Sequence, residues 1–450
     1  MDLETTFQAY HNAIAEVPPF IRSGRVTQVI GLTIEARGLH AQIGQLCYIV
    51  SDDGKTETPA EVMGFRDNRT LLMPLGEMRG IGPGNTIRDS GSLFTVPVGD
   101  ALLGRVLNGL GQPIDGKGPI RASAAYPAAG SAPPPLGRMP IAHPLETGVR
   151  AIDGFLTVGK GQRIGIFADS GVGKSTLMGM IARNAKADIS VIALIGERGR
   201  EVQEFIERDL THAGLERSVV IVSTSDQPAL VRLKGAWVAT AIAEYFRDQG
   251  ADVTFMMDSV TRFAMAQREI GLAIGEPPAM KGYTPSVFAL LPKLLERTGT
   301  GERGTITGFY TVLVESDDLT EPITDAVRSI LDGHIVLSRD LAAQNHYPAI
   351  DVLESVSRVM PAITDEPHRA AASQIRDLMA TYDKAADLIN IGAYVEGSNP
   401  AIDQAIALMP EILQFLRQKA NDPTAYFETL ERLKAIANAQ RQLAAERINA

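Results

Sequence analysis

The stretch that decides the fold lies at residues 168–176 and reads Ala168-Asp169-Ser170-Gly171-Val172-Gly173-Lys174-Ser175-Thr176. An apolar run at 163–167 precedes it, and a helix-forming run at 177–181 follows it. A strand, a glycine-bearing loop and a helix in this order are the context that a phosphate-binding loop requires. The backbone N–H groups of such a loop and the N-terminus of the following helix both attract phosphate oxygens. The stretch therefore predicts a nucleoside triphosphate site.

The residue types within this loop fit the predicted ligand, a nucleoside triphosphate with Mg²⁺. Gly171 and Gly173 leave room for phosphate oxygens where a Cβ atom would collide. Lys174 can reach the β- and γ-phosphates, and the Ser175 hydroxyl can bind Mg²⁺. Ala168 stands where the pattern usually has its first glycine, which is tolerable if the backbone there keeps a negative φ. The other predicted nucleotide contacts of the loop are Asp169, Ser170, Val172 and Thr176.

Composition and charge indicate an intracellular protein. The 450 residues carry a net charge of −10, which argues against a protein built mainly to bind nucleic acid or an anionic membrane. Cys47 is the single cysteine, so no intrachain disulfide can form and a reducing compartment fits. The N-terminus lacks a signal-peptide pattern, and no run approaches the ~18 apolar residues of a transmembrane helix. We therefore expect a cytoplasmic location.

The chain divides into four predicted segments. Residues 1–22 place apolar side chains at helical spacing between 2 and 17, which fits a helix packed on its own domain or a docking helix for a partner. Residues 23–98 alternate β-rich runs with turns and predict a small β-barrel. Residues 99–363 predict an α/β P-loop domain, since strands alternate with helices there. Residues 364–450 show only helix signals and predict an α-helical C-terminal domain.

The α/β segment opens with a glycine-rich stretch at 99–121 and a proline-rich stretch at 127–144, which we interpret as a connector. Its predicted strands are Ile164–Phe167, Ile189–Ile195, Val219–Ser223, Val253–Asp258, Thr305–Val314 and His334–Leu337. Its predicted helices include Glu201–Ala213 and Lys234–Gln249.

Hydrolysis requires more than a phosphate-binding loop: a metal anchor, a group that orients water, and cations for the developing charge. Asp258 ends an apolar strand, which is the pattern of a magnesium-binding acid, although a helix N-cap would also favour aspartate there. Glu197 follows another strand end and can orient a water molecule, unless this turn is merely solvated. Arg198 beside it can neutralise phosphate charge or pair with an acid. Tyr347 and Arg358, taken alone, indicate no more than loop packing and a surface arginine.

Several motifs together resemble the catalytic subunits of rotary-type ATPases. They are the loop at 168–176, Gly-Glu-Arg at 196–198, Met-Met-Asp-Ser-Val-Thr-Arg-Phe-Ala at 256–264 and Tyr-Pro-Ala-Ile-Asp at 347–351. Further motifs at 282–289, 353–361 and 387–394 look like the type III export ATPases within that superfamily. The motif at 387–394, with Gly-Ser-Asn-Pro-Ala-Ile-Asp at 397–403, is more similar to the flagellar branch than to the virulence-secretion branch.

The resemblance implies a role for each matching residue. Lys174 and Ser175 would hold phosphate and Mg²⁺, and Asp258 would hold the water shell of the metal. Glu197 would orient the attacking water, because the non-catalytic sister subunit of the rotary ATPases has glutamine there. The other implied roles are a position near the γ-phosphate for Arg198, stacking on adenine for Tyr347, and a finger into the neighbouring subunit's site for Arg358. Asp169 departs from the glycine commonest in this branch and should weaken nucleotide binding unless its side chain points outward.

The resemblance also implies partners. The enzyme would be a homo-hexameric ring that energises protein export by releasing chaperones and delivering export substrates to a membrane gate. It would lie peripherally at the inner membrane, with a stator-like regulatory protein on the N-terminal helix. A termination-type RNA helicase shares this core, but the net charge and the lack of a basic aromatic face disfavour nucleic acid. The same core also fits a virulence-type secretion ATPase, a rotary ATP synthase catalytic subunit or a structural subunit without turnover.

Overall fold

A computed structural model describes residue 7 and residues 23–314 and 320–448, with side chains up to residue 440. Apart from Phe7, the predicted helix at 2–17 lies outside these residues and stays a prediction. The described residues form two units, one within residues 1–94 together with 269–276 and the other within residues 95–268 together with 277–450. Among the described helices, none is both long enough and apolar enough to span a bilayer.

The first unit is a closed antiparallel β-barrel in the order β1-β2-β5-β4-β3-β6. Its strands are β1 Ser23–Ile30, β2 Thr33–Arg37, β3 Gln45–Val50, β4 Glu57–Arg66, β5 Arg69–Pro74 and β6 Thr86–Leu93. Alternate residues point inward as the period of a strand requires: in β3, Cys47 and Ile49 are buried while Tyr48 is half-exposed. Burial raises the pKa of the Cys47 thiol to about 12. The predicted barrel is confirmed.

The second unit is built on a mainly parallel sheet in the order β19-β18-β12-β17-β15-β13-β14-β8. The strands of this path are β8 Arg105–Asn108, β12 Arg163–Ala168, β13 Ile189–Ile195, β14 Ser218–Ser223, β15 Asp252–Asp258, β17 Thr305–Leu313, β18 Gly333–Leu337 and β19 Ile350–Ser357. Short strands outside the path are β7 Thr95–Val98, β9 Ala124–Pro127, β10 Pro144–Leu145, β11 Val158–Gly159 and β16 Gly299–Thr300. β19 is antiparallel to β18, so this edge strand runs opposite to the others.

The helices of the second unit cover the sheet and then form the C-terminal helical region. Up to residue 363 they are α1 Arg150–Phe155, α2 Lys174–Asn184, α3 Gly199–Glu204, α4 Thr211–Glu216, α5 Ala229–Asp248, α6 Val260–Ile274, α7 Pro285–Leu295, α8 Pro322–Ile330, α9 Arg339–Ala343 and α10 Met360–Ile363. The C-terminal helices are α11 Glu366–Asn390, α12 Pro400–Leu416 and α13 Tyr426–Ile448. Asp365 and Asn399 accept N-cap hydrogen bonds from His368 N and Ala401 N, which fixes where α11 and α12 begin.

The predicted architecture of barrel, α/β nucleotide-binding core and helical C-terminal region is confirmed. Each predicted strand of the core is present within a residue or so of its predicted ends. Two strands of the main path were missed, as were the short strands outside it. The glycine-rich stretch supplies β8, which pairs with β14, and the segment ending at Arg358 contains β19. The predicted helix Glu201–Ala213 is broken, because Phe205–Leu210 winds as a π-helix and Thr211 adopts a φ of 63°.

Candidate active site

The phosphate-binding loop connects β12 to α2 at the carboxyl edge of the sheet. Gly171 and Gly173 have φ angles of 85° and 95°, a region that glycine enters without steric cost. A Cβ atom at Gly171 would meet no atom within 4 Å, so its backbone borders open space. Ala168 is the last residue of β12 and keeps the negative φ that its side chain requires. Val172 buries its side chain, which leaves only its backbone to contact a ligand.

The side chains of Lys174, Glu197 and Asp258 meet at this edge. The parallel register pairs Leu194 of β13 with Asp258 of β15, so the strands end side by side. The ammonium group of Lys174 forms an ion pair with Asp258 Oδ1 and lies 3.7 Å from Glu197 Oε1. Thr311 Oγ1 donates a hydrogen bond of 2.7 Å to the same oxygen of Asp258. Lys174 therefore contacts both of the other two predicted catalytic residues, Glu197 and Asp258.

The electrostatics of this cluster favour a proton acceptor beside a fixed cation. Burial, together with the nearby Asp258 carboxylate, raises the pKa of Glu197 to about 7, although Lys174 opposes the shift. Burial alone would lower the pKa of Lys174, but the carboxylates of Asp258 and Glu197 outweigh it and raise that pKa. Glu197 Oε1 is buried without a hydrogen bond from any described residue. A water molecule would satisfy this oxygen, which is the contact that an orienting base needs.

A cavity of about 550 Å³ lies over the loop. The predicted contacts that line it are Asp169, Ser170, Gly171, Gly173, Lys174, Ser175, Thr176, Glu197 and Arg198. Its oxygen donors suit Mg²⁺, which prefers hydroxyl, carboxylate and water ligands. The Ser175 hydroxyl would hold the ion directly and Asp258 would hold its waters. The residues present therefore fit a magnesium nucleotide.

Two arginines border this cavity differently. Arg198 is 77% exposed and lies 3.6 Å from Glu201, so its side chain faces solvent and an acid. Arg262, in the first turn of α6, packs against Gly196, and its buried Nε has no hydrogen-bond partner among the described residues. Sequence reasoning gave no role to Arg262. Its position one helical turn after Asp258 is the signal that would have found it.

A second cavity, of about 670 Å³, adjoins the other side of the loop. Tyr347 forms one wall, and its ring lies 3.5 Å from a Cβ atom built on Gly173. The opposite wall comes from the C-terminal helical region and consists of Arg417, Gln418, Lys419 and Ala420. Hydrogen bonds of 2.8 Å from Gln418 N to Tyr347 O and from Arg183 to Ala420 O hold this wall in place. The size, position and aromatic wall of the cavity suit a nucleobase, and sequence reasoning missed its C-terminal half.

Arg358 is the predicted site residue that does not join this group. It follows β19, which runs antiparallel to β18, and therefore lies at the edge formed by the amino ends of the parallel strands, opposite the carboxyl edge. There its backbone N–H donates to Asp332 O at 3.0 Å. Asp332 in turn binds the backbone N–H of Arg163, the first residue of β12. A strand of six residues spans roughly 20 Å, so the exposed Arg358 side chain lies too far away to reach the loop that follows β12 in its own chain.

Three separate segments of the chain match known protein domains. The nucleotide-binding domain of the ATP synthase alpha/beta family matches residues 148–357, and its beta-barrel domain matches residues 26–91. The T3SS EscN ATPase C-terminal domain matches residues 364–435. Relatives that are flagellum-specific and type 3 secretion ATPases are at least 50% identical over 95% or more of this chain. Together these matches show that the chain belongs to the flagellar and type III secretion branch of this ATPase family. The predicted resemblance is thereby confirmed, and the protein is an ATPase.

Individual relatives agree over nearly their whole length. The flagellum-specific ATP synthase of Bacillus subtilis is 55% identical over 95% of this chain and 98% of its own length. The type 3 secretion system ATPase of Xanthomonas euvesicatoria is 50% identical over 97% of this chain and 98% of its own length. The assembled ATPase EscN of enteropathogenic E. coli, solved in complex with its central stalk EscO, superimposes with a TM-score of 0.85 at 47% identity, over 92% of this chain and 100% of that one.

The raised pKa of Glu197 predicts a pH dependence for this ATPase. The orienting residue must be ionised to accept a proton, so kcat/KM is expected to fall about tenfold per pH unit below a pKa of about 7. Activity is lost on the acidic side because a raised pKa extends the protonated, inactive form of Glu197 towards neutral pH. A steady-state profile between about pH 5.5 and 9 measures the acidic limb. A limb with a midpoint near the ordinary glutamate value would contradict the assignment.

Proposed function

We propose that the chain hydrolyses MgATP at the interfaces of a homo-hexameric ring and that this turnover energises flagellar type III protein export. The observation that carries the proposal is the division of the site between two edges of the sheet. Lys174, Asp258 and Glu197 meet at one edge, while Arg358 lies at the other. A closed ring of heterologous contacts brings one edge of each protomer to the opposite edge of the next.

Each residue contributes a separate step to the proposed reaction. Bound Mg²⁺ neutralises charge on the phosphate oxygens. The loop N–H groups and Lys174 would hold the triphosphate, and Asp258, which pairs with Lys174 in this structure, would hold the waters of the metal. Glu197 accepts a hydrogen bond from the attacking water and aims it in line. Arg262 and Arg198 neutralise charge on the γ-phosphoryl group, and Arg358 of the neighbouring protomer completes the cation set in the transition state.

Nucleobase recognition is assigned to the cavity beside Tyr347. The exposed ring offers a face for stacking on adenine, an interaction worth about 1–3 kcal/mol in comparable sites. The backbone of Gln418 fixes the position of Tyr347 through its hydrogen bond to Tyr347 O. This arrangement couples occupancy of the base site to the C-terminal helical region.

The flagellar assignment rests on the branch motifs and on the named relatives. The flagellum-specific relative from Bacillus subtilis is more similar to this chain than the type 3 secretion ATPase from Xanthomonas euvesicatoria is, at 55% against 50% identity. Because this difference is small, virulence-type secretion is kept as the second candidate. In either system we expect the enzyme to release export chaperones from their substrates and to deliver the substrates to the membrane export gate, which would hold it at the inner membrane.

A stalk-type partner is proposed for the tip between α11 and α12. Leu388, Ile391 and Val395 are exposed there by 48%, 75% and 70%. Exposed apolar clusters often mark surfaces that contact a partner, because burying them there removes apolar area from water. The EscN relative carries a central stalk, and a stalk is the partner that fits a tip on the helical region. The stator-like regulator would bind the segment at 2–17.

A chromosomal replacement tests this function. Lys174→Ala in the native cell is expected to abolish motility and the release of flagellar filament protein into the medium, because the loop no longer binds triphosphate. Ile391→Asp combined with Val395→Asp is expected to abolish export while the purified variant still hydrolyses ATP. Phe427→Asp is the control, since it adds a charge at another exposed apolar side chain of the C-terminal helical region. It should change neither export nor ATP hydrolysis. Loss of virulence-protein export with normal motility would favour the second candidate instead.

A further inference from the structure

Asp169 places an acidic side chain in the phosphate-binding loop. It lines the phosphate cavity and also a smaller cavity of about 240 Å³ beneath the end of β18. Its Oδ1 accepts a hydrogen bond from Ser170 N within the loop. Its Oδ2 is shielded from solvent and forms an ion pair with the guanidinium group of Arg339. The carboxylate therefore has a cationic partner, and that partner is not among the residues that line the phosphate cavity.

The backbone register explains why these two residues meet. β12 and β18 are parallel neighbours, with Ala168 opposite Leu337 at their carboxyl ends. Asp169 is the first residue beyond β12. Arg339 is the second residue beyond β18, and it opens α9 behind the N-cap Ser338. Both side chains consequently leave the sheet at the same edge, one strand apart.

An unpaired carboxylate at this position would oppose nucleotide binding. Asp169 lines the phosphate cavity, and at the effective dielectric of about 20 of a partly buried site, a unit charge within roughly 10 Å of another changes affinity on the order of tenfold. Asp169 is only 13% exposed, so solvent screens it poorly. Arg339 supplies the opposite charge without lining the phosphate cavity, and its 57% exposure shows that the guanidinium group is not needed to fill the core.

We propose that Arg339 is a positioning residue for nucleotide binding, which neutralises the Asp169 carboxylate and holds it away from the phosphates. The inference rests on the proposed function only in that the loop at 168–176 binds the phosphates. Arg339 itself need not touch the nucleotide. The loop thus tolerates an acidic residue because a residue 170 positions later in the chain compensates it.

The test is a double-mutant cycle on the full-length protein, with MgADP binding measured by calorimetry. Arg339→Gln is expected to raise Kd about tenfold, since Asp169 is left unpaired beside the phosphates. Asp169→Gly should change Kd by less than about threefold. In that background Arg339→Gln should add less than about threefold more, because the guanidinium group is 57% exposed and therefore screened from the phosphates, whereas the 13% exposed carboxylate is not. Arg339→Lys keeps the charge and should stay close to the wild type. In ATP turnover, Arg339→Gln should raise KM with little change in kcat.

The matched control is Arg200→Gln, which removes another exposed arginine near the cavity that pairs with an acid of its own helix, Glu204. It should shift Kd by less than about threefold. Thermal unfolding confirms that each variant is folded. An equal loss of affinity from Arg339→Gln in the wild-type and Asp169→Gly backgrounds would overturn the proposed role, as would no loss in either. A wild-type protein that binds no MgADP would overturn the proposed function itself.

Discussion

Glu197→Gln is expected to lower kcat by about 10²–10⁴-fold while ATP affinity stays within about threefold of the wild type. Glutamine keeps the size of the side chain and one carbonyl oxygen, but it cannot accept a proton from water as a carboxylate does. The buried Oε1 of Glu197 has no hydrogen-bond donor among the described residues, whereas phosphate binding depends on Lys174 and the loop. Single-turnover phosphate release and calorimetric ATP binding separate the two effects.

The matched comparison is Lys174→Ala, which should abolish measurable nucleotide binding because it removes the cation for the β- and γ-phosphates. It also removes the ion-pair partner of Asp258. An unpaired buried carboxylate lowers the stability of the folded protein. The thermal unfolding midpoint of Lys174→Ala should therefore fall, whereas the midpoint of Glu197→Gln should change little. If Glu197→Gln lost binding to the same extent as Lys174→Ala, Glu197 would be supporting the loop and not the water.

Local sequence patterns predicted the parts of this protein that lie close together in the chain. The phosphate-binding loop is recognisable because strand, glycines and helix are contiguous from 163 to 184. Asp258 and Glu197 were identifiable because Asp258 ends one apolar strand and Glu197 follows the end of another, and the carboxyl ends of parallel strands share one edge. β8 was missed, since four residues between glycines carry too little alternation to distinguish a strand from a loop.

What the sequence could not predict depends on contacts between distant segments. The base cavity is lined by Gly173, Tyr347 and Ala420, which lie far apart in the chain. The Asp169–Arg339 ion pair connects the loops that follow two neighbouring strands, β12 and β18. The role of Arg262 depends on which way the side chain points from its helix turn, where it packs on Gly196. The reversed direction of β19 likewise comes from tertiary pairing, and it decides which edge of the sheet carries Arg358.

Arg358→Ala is expected to lower ATP turnover by about 10³–10⁵-fold without abolishing ATP binding. The side chain leaves the edge of the sheet opposite the phosphate-binding loop of its own chain, and under the proposed function it acts on a neighbouring protomer's nucleotide. Turnover per wild-type protomer should accordingly rise with protein concentration as rings assemble, and the Arg358→Ala protein should stay inactive at every concentration. A phosphate-release assay over a dilution series measures both.

Mixing variants tests whether Arg358 acts between protomers. Rings that combine Arg358→Ala with Lys174→Ala contain interfaces in which an intact loop meets an intact arginine. With random assembly of equal amounts, about one quarter of the interfaces have this composition, so activity should recover towards one quarter of the wild-type rate. Lys174→Ala mixed with Glu197→Gln is the control, because both lesions lie on the loop side and no intact interface can form. If the first mixture stayed inactive although differently tagged protomers co-purified in one ring, Arg358 would not complete the neighbour's site, and the two-edge arrangement of the active site would be wrong.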